Sequence, residues 1–535
     1  MPHLSKSIIE FMKRPDSYPH SPDTVEHIQT HISHVFIASP FVYKIKKPLD
    51  LGFLDFSTLE KRKYYCHREL ELNRRLCDHI YLEVTHLVHS GNTYQFASDN
   101  LKSGKPIEYI VKMKQLKREN FLIGFVKKGD LKKEHLERVA RKLHRFYSGQ
   151  SPDTKILNYG DPEKILYNTD ENFNQTRDFI GKTISRQAFH SIHQFTNSFL
   201  DMHKALFRKR IEEHRIVDGH GDLHLEHINL TDNSICIYDC IEFNERFRYQ
   251  DIAADLAFLA MDLDFHQLQN ESRYFMNLMS ELLHDPDLLA LADFYKCYRA
   301  YVRGKVKSFE SDEGEVSTPE QKKTANKAER YFRLSLYYAL FGSKPMIYLF
   351  MGRVASGKST LAKRLAKDTG IHSFSTDILR KKIAGLPLTK RLPDRDRTAL
   401  YSEVMSDKTY QNLCERGVEE IRNGRSVILD GTFASKKKRR ELTDYFEEHD
   451  IEYLYVEPIA DKNIRMDRLH DRNQGQAVIS DARLDDMDML DERYENPDEL
   501  DPIHYLQIST SGDLNISLKE LYSCLITRNL DKGKI

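Results

Sequence analysis

The residues with the clearest chemistry lie at 352–360, GRVASGKST, between the apolar run MIYLFM and the amphipathic run that begins at Leu361. Gly352, Gly357, Lys358 and Ser359 meet the spacing GxxxxGK[ST], here with an apolar strand before it and a helix after it. Glycines let consecutive backbone N–H groups curl around a β-phosphate, and the helix N-terminus adds partial positive charge. Lys358 then reaches the β- and γ-phosphates, and the Ser359 hydroxyl becomes a Mg²⁺ ligand. Ser356 and Thr360 complete the predicted nucleotide contacts. The run SVILDGTF ends a strand in Asp430, a carboxylate that can hold Mg²⁺ through water. In HSFSTDILRKK, Asp377 and Arg380 fall at the C-terminal end of a second strand, the edge where open α/β sheets collect ligands. Asp377 there can take the proton of an acceptor hydroxyl, and Arg380 can grip an anionic acceptor group.

Two basic clusters follow. RMDRLHDRNQG sets Arg465, Arg468 and Arg472 at helical spacing, suited to closing over a triphosphate. The run KKKRR at 436–440 reads first as a solvated helix start. A phosphate-rich acceptor, including a nucleic-acid end, is the alternative.

A second constellation lies upstream. In HGDLHLEHINL, Asp222 is placed to orient an acceptor hydroxyl, with the following metal position at 227 and a further metal carboxylate at Asp239. The strand FVYKIKKP offers Lys44 for the α- and β-phosphates, with Lys46 on the same face. A helical carboxylate should brace that lysine; Glu69 is the first choice and Glu71 the second. Position 227 carries His227 where this type of loop carries Asn, and imidazole is a poor ligand for a hard ion such as Mg²⁺.

These residues need elements to position them. The chain has 535 residues, too many for one hydrophobic core. Lys plus Arg equals Asp plus Glu at 81 each, so no global charge points to nucleic acid or membrane. No apolar run reaches the ~20 residues of a membrane span, and no signal peptide is read at the N-terminus. The seven cysteines lack zinc spacing and read as reduced thiols of a cytoplasmic protein. Residues 28–47 read as a two-strand hairpin, followed by a long charged helix over 57–77 and helices over 130–215. The segment SDEGEVSTPEQKK lacks apolar periodicity and reads as a surface loop. FGSKP at 341–345 is the predicted boundary, beyond which strands alternate with helices as in a parallel sheet.

Residues 346–500 resemble the small P-loop kinases: gluconate kinase, the kinase part of polynucleotide kinase, chloramphenicol phosphotransferase and zeta toxins. AAA-type ring ATPases fit less well. The upstream region, about 28–310, resembles the aminoglycoside phosphotransferase and choline kinase branch of the protein-kinase-like fold. There IEFNERFRYQDIAADLAFL supplies Asp251 and Asp255 as braces of the HGDLH loop. The order of the two regions is similar to a bacterial group described as bifunctional aminoglycoside phosphotransferase/ATP-binding proteins. The resemblance implies an α+β protein-kinase-like domain over 1–340 and an α/β P-loop kinase domain with a parallel sheet over 346–535. It further implies ATP and Mg²⁺ as cofactors and phosphoryl transfer to a small-molecule hydroxyl by the P-loop domain. The upstream domain would be a second phosphotransferase or a substrate-binding module. The competing expectations are a nucleotide-dependent regulatory protein with a pseudokinase half, and a nucleic-acid end kinase, which is not favoured.

Overall fold

Alternation of apolar side chains along 33–46 forces extended chain with two unlike faces. In the computed structural model, which describes residues 4–97, 104–312, 318–388, 394–474 and 482–532, this stretch gives β2 (Ser33–Ala38) and β3 (Phe41–Lys46). They join β1 (Glu26–Gln29), β4 (Tyr81–Ser90), β5 (Thr93–Ala97) and β6 (Glu108–Lys114) in an antiparallel sheet of order β1-β2-β3-β6-β4-β5. Tyr43 and Ile45 enter a core with Phe11, Phe36 and Leu87. Lys44 and Lys46 therefore face the other way, towards helix α1 (Leu59–Arg74). Thr58 caps α1 by accepting from the Lys61 N–H.

The chain divides into two compact units, one of residues 1–170 and 202–299, the other of residues 171–201 and 300–535. In the first, helix α2 (Lys133–Ser148) is followed by short strands β7 (Ile216–Asp218), β8 (Ile228–Leu230), β9 (Ile235–Ile237) and β10 (Tyr249–Asp251). Helix α3 (Ile252–Phe265), buried along its whole length, comes next. This is the expected α+β class, with the HGDLH loop between β7 and β8.

The second unit carries the expected α/β class. Strands β11 (Met346–Phe350), β12 (His372–Ser375), β13 (Val427–Asp430), β14 (Glu452–Ile459) and β15 (Tyr505–Ser509) form a fully parallel sheet of order β12-β13-β11-β14-β15. Helices α4 (Lys358–Thr369), α5 (Thr376–Ile383), α6 (Glu403–Arg422), α7 (Lys436–Glu448) and α8 (Lys462–Gln474) connect it. Ile347, Leu349, Val427, Leu429, Tyr453 and Tyr455 share one core.

Three expectations are corrected. Thr318–Phe341 is helical, so the predicted loop does not extend over 318–323; residues 313–317 of that loop lie outside the described residues. Pro319 sits in the first turn, where its missing N–H costs nothing. The seven cysteines are not all free thiols: Cys77 and Cys236 form a disulfide with their Cα atoms 4.7 Å apart. Asp251 caps α3 through the Ala253 N–H and receives Arg210 at 2.7 and 2.9 Å, so it braces the helix and not the HGDLH loop.

The KKKRR run separates into two roles. Arg439 is 0 % exposed and donates to Glu499 and to the carbonyls of Phe433, Ala434, Glu495 and Asn496. Lys437 is exposed, with Glu441 at 3.8 Å. Arg439→Ala is expected to cost about 3–5 kcal/mol by stranding the buried Glu499 carboxylate, whereas Lys437→Ala leaves the unfolding midpoint unchanged. Thermal melting of both variants beside the wild type checks this.

Candidate active sites

The P-loop is built where β11 runs out of sheet. Gly352 has φ 130° and Gly357 has φ 95°, left-handed values that exclude ordinary side chains. A Cβ on Gly352 would also come within 3.2 Å of the Glu457 side chain. The Lys358 ammonium donates to the Arg353 carbonyl at 2.7 Å, folded back over the loop it serves. The Ser356 hydroxyl is buried with no hydrogen-bond partner among the described residues. Thr360 is exposed on the first turn of α4.

Parallel register brings the remaining groups to the same edge. Phe350 pairs with Asp430 across β11–β13, and Ser375 pairs with Asp430 across β12–β13. Asp430 thus ends between the P-loop and the start of α5, where Asp377 and Arg380 lie. Asp430 is buried and accepts a hydrogen bond from Ser359. Burial raises its pKa, and the Ser359 hydroxyl and Lys358 oppose that rise without cancelling it. A hydroxyl and a carboxylate side by side, all oxygen, fit Mg²⁺.

Arg380 is buried with its guanidinium stacked on the Tyr401 ring at 4.5 Å. Its Nη1 lies 3.5 Å from Asp377 Oδ1, and its Nε has no partner. Both residues line a cavity of about 880 Å³ that also takes in Gly357, Lys358, Ser359 and Asp430. The same cavity is walled by Arg397, Arg483 and Arg493 together with Asp485 and Asp486. These five were not anticipated, because they come from separated segments and carry no spacing signal.

The helical arginines hold the loop from behind. Arg465 makes a two-point ion pair with Asp491 at 2.6 and 2.7 Å. Arg468 donates to the carbonyls of Ala355, at 3.2 Å, and Thr510. The side chain of Arg472 lies outside the described residues.

The upstream site is assembled around one carboxylate. Glu69 is buried on α1 and receives Lys44 on Oε1 at 2.9 Å and Lys46 on Oε2 at 2.6 Å. Lys44 also reaches Asp239 Oδ1 at 2.7 Å, while Lys46 pairs with Glu242. Burial acts to raise the Glu69 and Asp239 pKa values, but Lys44 and Lys46 at the first and Lys44 with His227 at the second overcome it and hold both below the usual carboxylate range. Of the two lysines, Lys44 is the one that faces Asp239. Glu71 points outward to Arg68, at 2.8 Å. Asn73, one turn beyond Glu69, accepts from the Cys240 N–H at 2.9 Å and fixes the segment that carries Asp239.

The HGDLH loop hangs on Asp255. That carboxylate accepts from the N–H groups of His220, at 2.7 Å, and Gly221, at 2.9 Å, and from Tyr147 and Gln250 at 2.9 Å each. Gly221 needs its φ of 86°, since a Cβ would stand 3.0 Å from the Phe247 carbonyl. His227 lies between Asp222 and Asp239, its ring nitrogens 3.5 Å from a carboxylate oxygen of each. Burial, with His224 alongside, lowers the His227 pKa to about 4, so the ring is neutral at pH 7. Asn229 is turned away, donating to the Lys117 carbonyl at 3.1 Å, and Glu226 is exposed.

Residues 347–497 match the family model described as AAA domain. The chain is 32 % identical over 411 residues to the uncharacterized protein Rv2004c of Mycobacterium tuberculosis, covering 77 % of this chain and 79 % of that one. The uncharacterized protein Mb2027c of Mycobacterium bovis matches with the same figures. Among solved structures, a gluconokinase from Sinorhizobium meliloti aligns at 18 % identity over 36 % of this chain and 95 % of its own, TM-score 0.25. A choline/ethanolamine kinase family protein from Mesorhizobium loti aligns at 10 % identity over 62 % of this chain and 95 % of its own, TM-score 0.37. Among the described residues no helix is long and apolar enough to cross a membrane.

Asp430→Asn is expected to stabilise the nucleotide-free protein by roughly 1 kcal/mol, because it removes a buried charge. The raised pKa sets the sign: the ionised wild-type side chain opposes folding at neutral pH, and that cost fades as pH falls through the folded-state value. The same variant loses the extra thermal stability that ATP with Mg²⁺ gives the wild type. Melting curves with and without MgATP, at neutral and acid pH, read both effects.

Proposed function

We propose that this chain, which belongs to the same family as the mycobacterial protein Rv2004c, is an ATP-dependent phosphotransferase whose P-loop domain passes the γ-phosphoryl group to a hydroxyl of a small molecule. The observation that carries this reading is the shared cavity. It joins the phosphate-binding residues Lys358 and Ser359 to Asp377 and Arg380, with room for a second molecule. A nucleotide switch has no use for an acceptor pocket.

In this reading the domains are residues 1–340 and 346–535. Ser359 and Asp430 hold Mg²⁺, which neutralises phosphate charge when bound. The P-loop backbone, with Ser356 and Thr360 beside it, cradles the phosphates, and Lys358 leaves the Arg353 carbonyl to reach them. Asp377 orients the acceptor hydroxyl and takes its proton. Arg380, held flat against Tyr401, anchors an anionic group on the acceptor. Arg468 positions the P-loop through Ala355 and Thr510. Transfer then rests on alignment and fixed charge. ATP as donor assigns the reaction to the cytoplasm.

In the upstream domain, Lys44, Glu69, Asp222 and Asp239 would serve a second nucleotide site, as a second phosphotransferase or a substrate-binding module. The buried Arg439 leaves the KKKRR run without the uniform cationic face that a nucleic-acid end would need.

The test is transfer of label from γ-labelled ATP to a panel of sugars, sugar acids, nucleosides, aminoglycosides and 5′-hydroxyl oligonucleotides. Lys358→Ala is expected to lower transfer by about 10²–10³-fold, with Asp222→Ala retaining it. Loss in Asp222→Ala alone would move the chemistry to the upstream domain. Transfer only to oligonucleotides, falling steeply with salt, would make the protein a nucleic-acid end kinase.

A further inference from the structure

We infer that the upstream domain binds a first-row transition-metal ion in place of Mg²⁺, with His227 Nε2 and Asp239 Oδ2 as ligands. Asp222, His224 and His227 each bring a donor atom, all within 4.8 Å of one another. The hydrogen bonds around them sort these atoms into ligands and supports.

His227 Nδ1 lies 2.9 Å from the Asp222 carbonyl oxygen. A carbonyl only accepts, so Nδ1 carries the proton and donates. The neutral ring then has its lone pair on Nε2, which faces Asp239 Oδ2 at 3.5 Å. A backbone carbonyl that fixes the tautomer and aims the other nitrogen is the usual support of a metal-ligating histidine. Asp239 is prepared in the same way. Lys44 occupies Oδ1 at 2.7 Å, leaving Oδ2 to face the imidazole. Two donors at metal-ligand distance on one tetrahedral ion stand about 3.4 Å apart, close to the observed spacing.

His224 belongs to the support. Its Nδ1 accepts from the Glu226 N–H at 3.3 Å, so its Nε2 carries the proton and faces Asp222 Oδ2 at 3.4 Å. It orients the carboxylate and does not ligate. A nitrogen donor in this position disfavours Mg²⁺ and suits cobalt, zinc or iron in the divalent state. The Asn229 amide nitrogen is committed to the Lys117 carbonyl at 3.1 Å, and Glu226 is exposed. The inference does not depend on the P-loop domain being a kinase.

The experiment uses the full chain, freed of metal by chelation and dialysis, and titrated with Co²⁺ alone. Visible d–d absorption reports binding. Proton NMR of the Co²⁺ form reports a hyperfine-shifted, solvent-exchangeable imidazole N–H, the Nδ1 proton of a ring ligated through Nε2. The wild type is expected to show both signals and to need at least ~10²-fold excess Mg²⁺ for displacement. His227→Asn is expected to lose the shifted proton and the preference over Mg²⁺, and His224→Gln to keep the proton. If His227→Asn fails to fold, Asp239→Asn serves as the second variant and is expected to weaken Co²⁺ binding at least ~tenfold. No shifted proton in the wild type, its persistence in His227→Asn, or equal affinity for Mg²⁺ and Co²⁺ would overturn the inference.

Discussion

The P-loop unit depends on keeping one ionisable carboxylate at the end of an apolar parallel sheet. β11 and β13 are buried throughout, and Asp430 is the last residue of β13. Burial there works against its charge, and the opposing groups are Ser359 and Lys358 on the first turn of the helix that follows the P-loop. The helix end proposed to bind phosphate therefore also stabilises the carboxylate proposed to hold the metal. Register does the rest: with Phe350 and Ser375 paired to Asp430, the P-loop, Asp430 and the start of α5 with Asp377 and Arg380 reach one edge together. A one-residue slip of β13 would turn Asp430 to the opposite face of the sheet.

The upstream unit meets an analogous constraint with pairs of charges. Two lysines of one strand face share the two oxygens of Glu69, and their other partners, Asp239 and Glu242, come from one short segment. Removing Glu69 would leave two ammonium groups with acids on one side only, so the helix, the strand and the segment carrying Asp239 and Glu242 are specified jointly. The α1 face that does this holds Arg62, Cys66, Glu69 and Asn73 at helical spacing. Arg62 pairs with buried Glu108 at 2.9 Å, and Asn73 secures Cys240. The interior here is ordered by directional contacts, which fix geometry more tightly than apolar packing does.

That difference explains what the sequence reveals. The P-loop is contiguous, and its glycines and lysine announce themselves, as do the apolar strands that became β11, β13 and β14. The α/β class follows from the alternation of strands and helices beyond 345, and the α+β class from the resemblance carried by the HGDLH loop and its partners. The geometry around Lys44, Glu69, Asp222 and Asp239 was reachable through ordered spacing and a resemblance. The face of α1 was not, because a buried stripe made of Arg, Glu and Asn has no hydrophobic period. β15 was missed for a related reason: it is an edge strand, largely open to solvent, with Ile508 its one fully buried residue. The cavity arginines 397, 483 and 493 gain meaning only when distant segments converge. Helical spacing marks Arg468 without saying what it meets; its guanidinium donates to the Ala355 and Thr510 carbonyls.

The most direct test of the account is the behaviour of Asp377→Asn, measured for nucleotide affinity and for phosphoryl transfer to whichever hydroxyl acceptor takes the label. Asp377 lies in the cavity but outside the P-loop, so the account predicts unchanged MgATP affinity and transfer slower by about 10²–10⁴-fold, the usual weight of an acid–base residue. Transfer at the wild-type rate, or loss of MgATP binding in step with transfer, would contradict the claim that this cavity seats an acceptor beside the γ-phosphate.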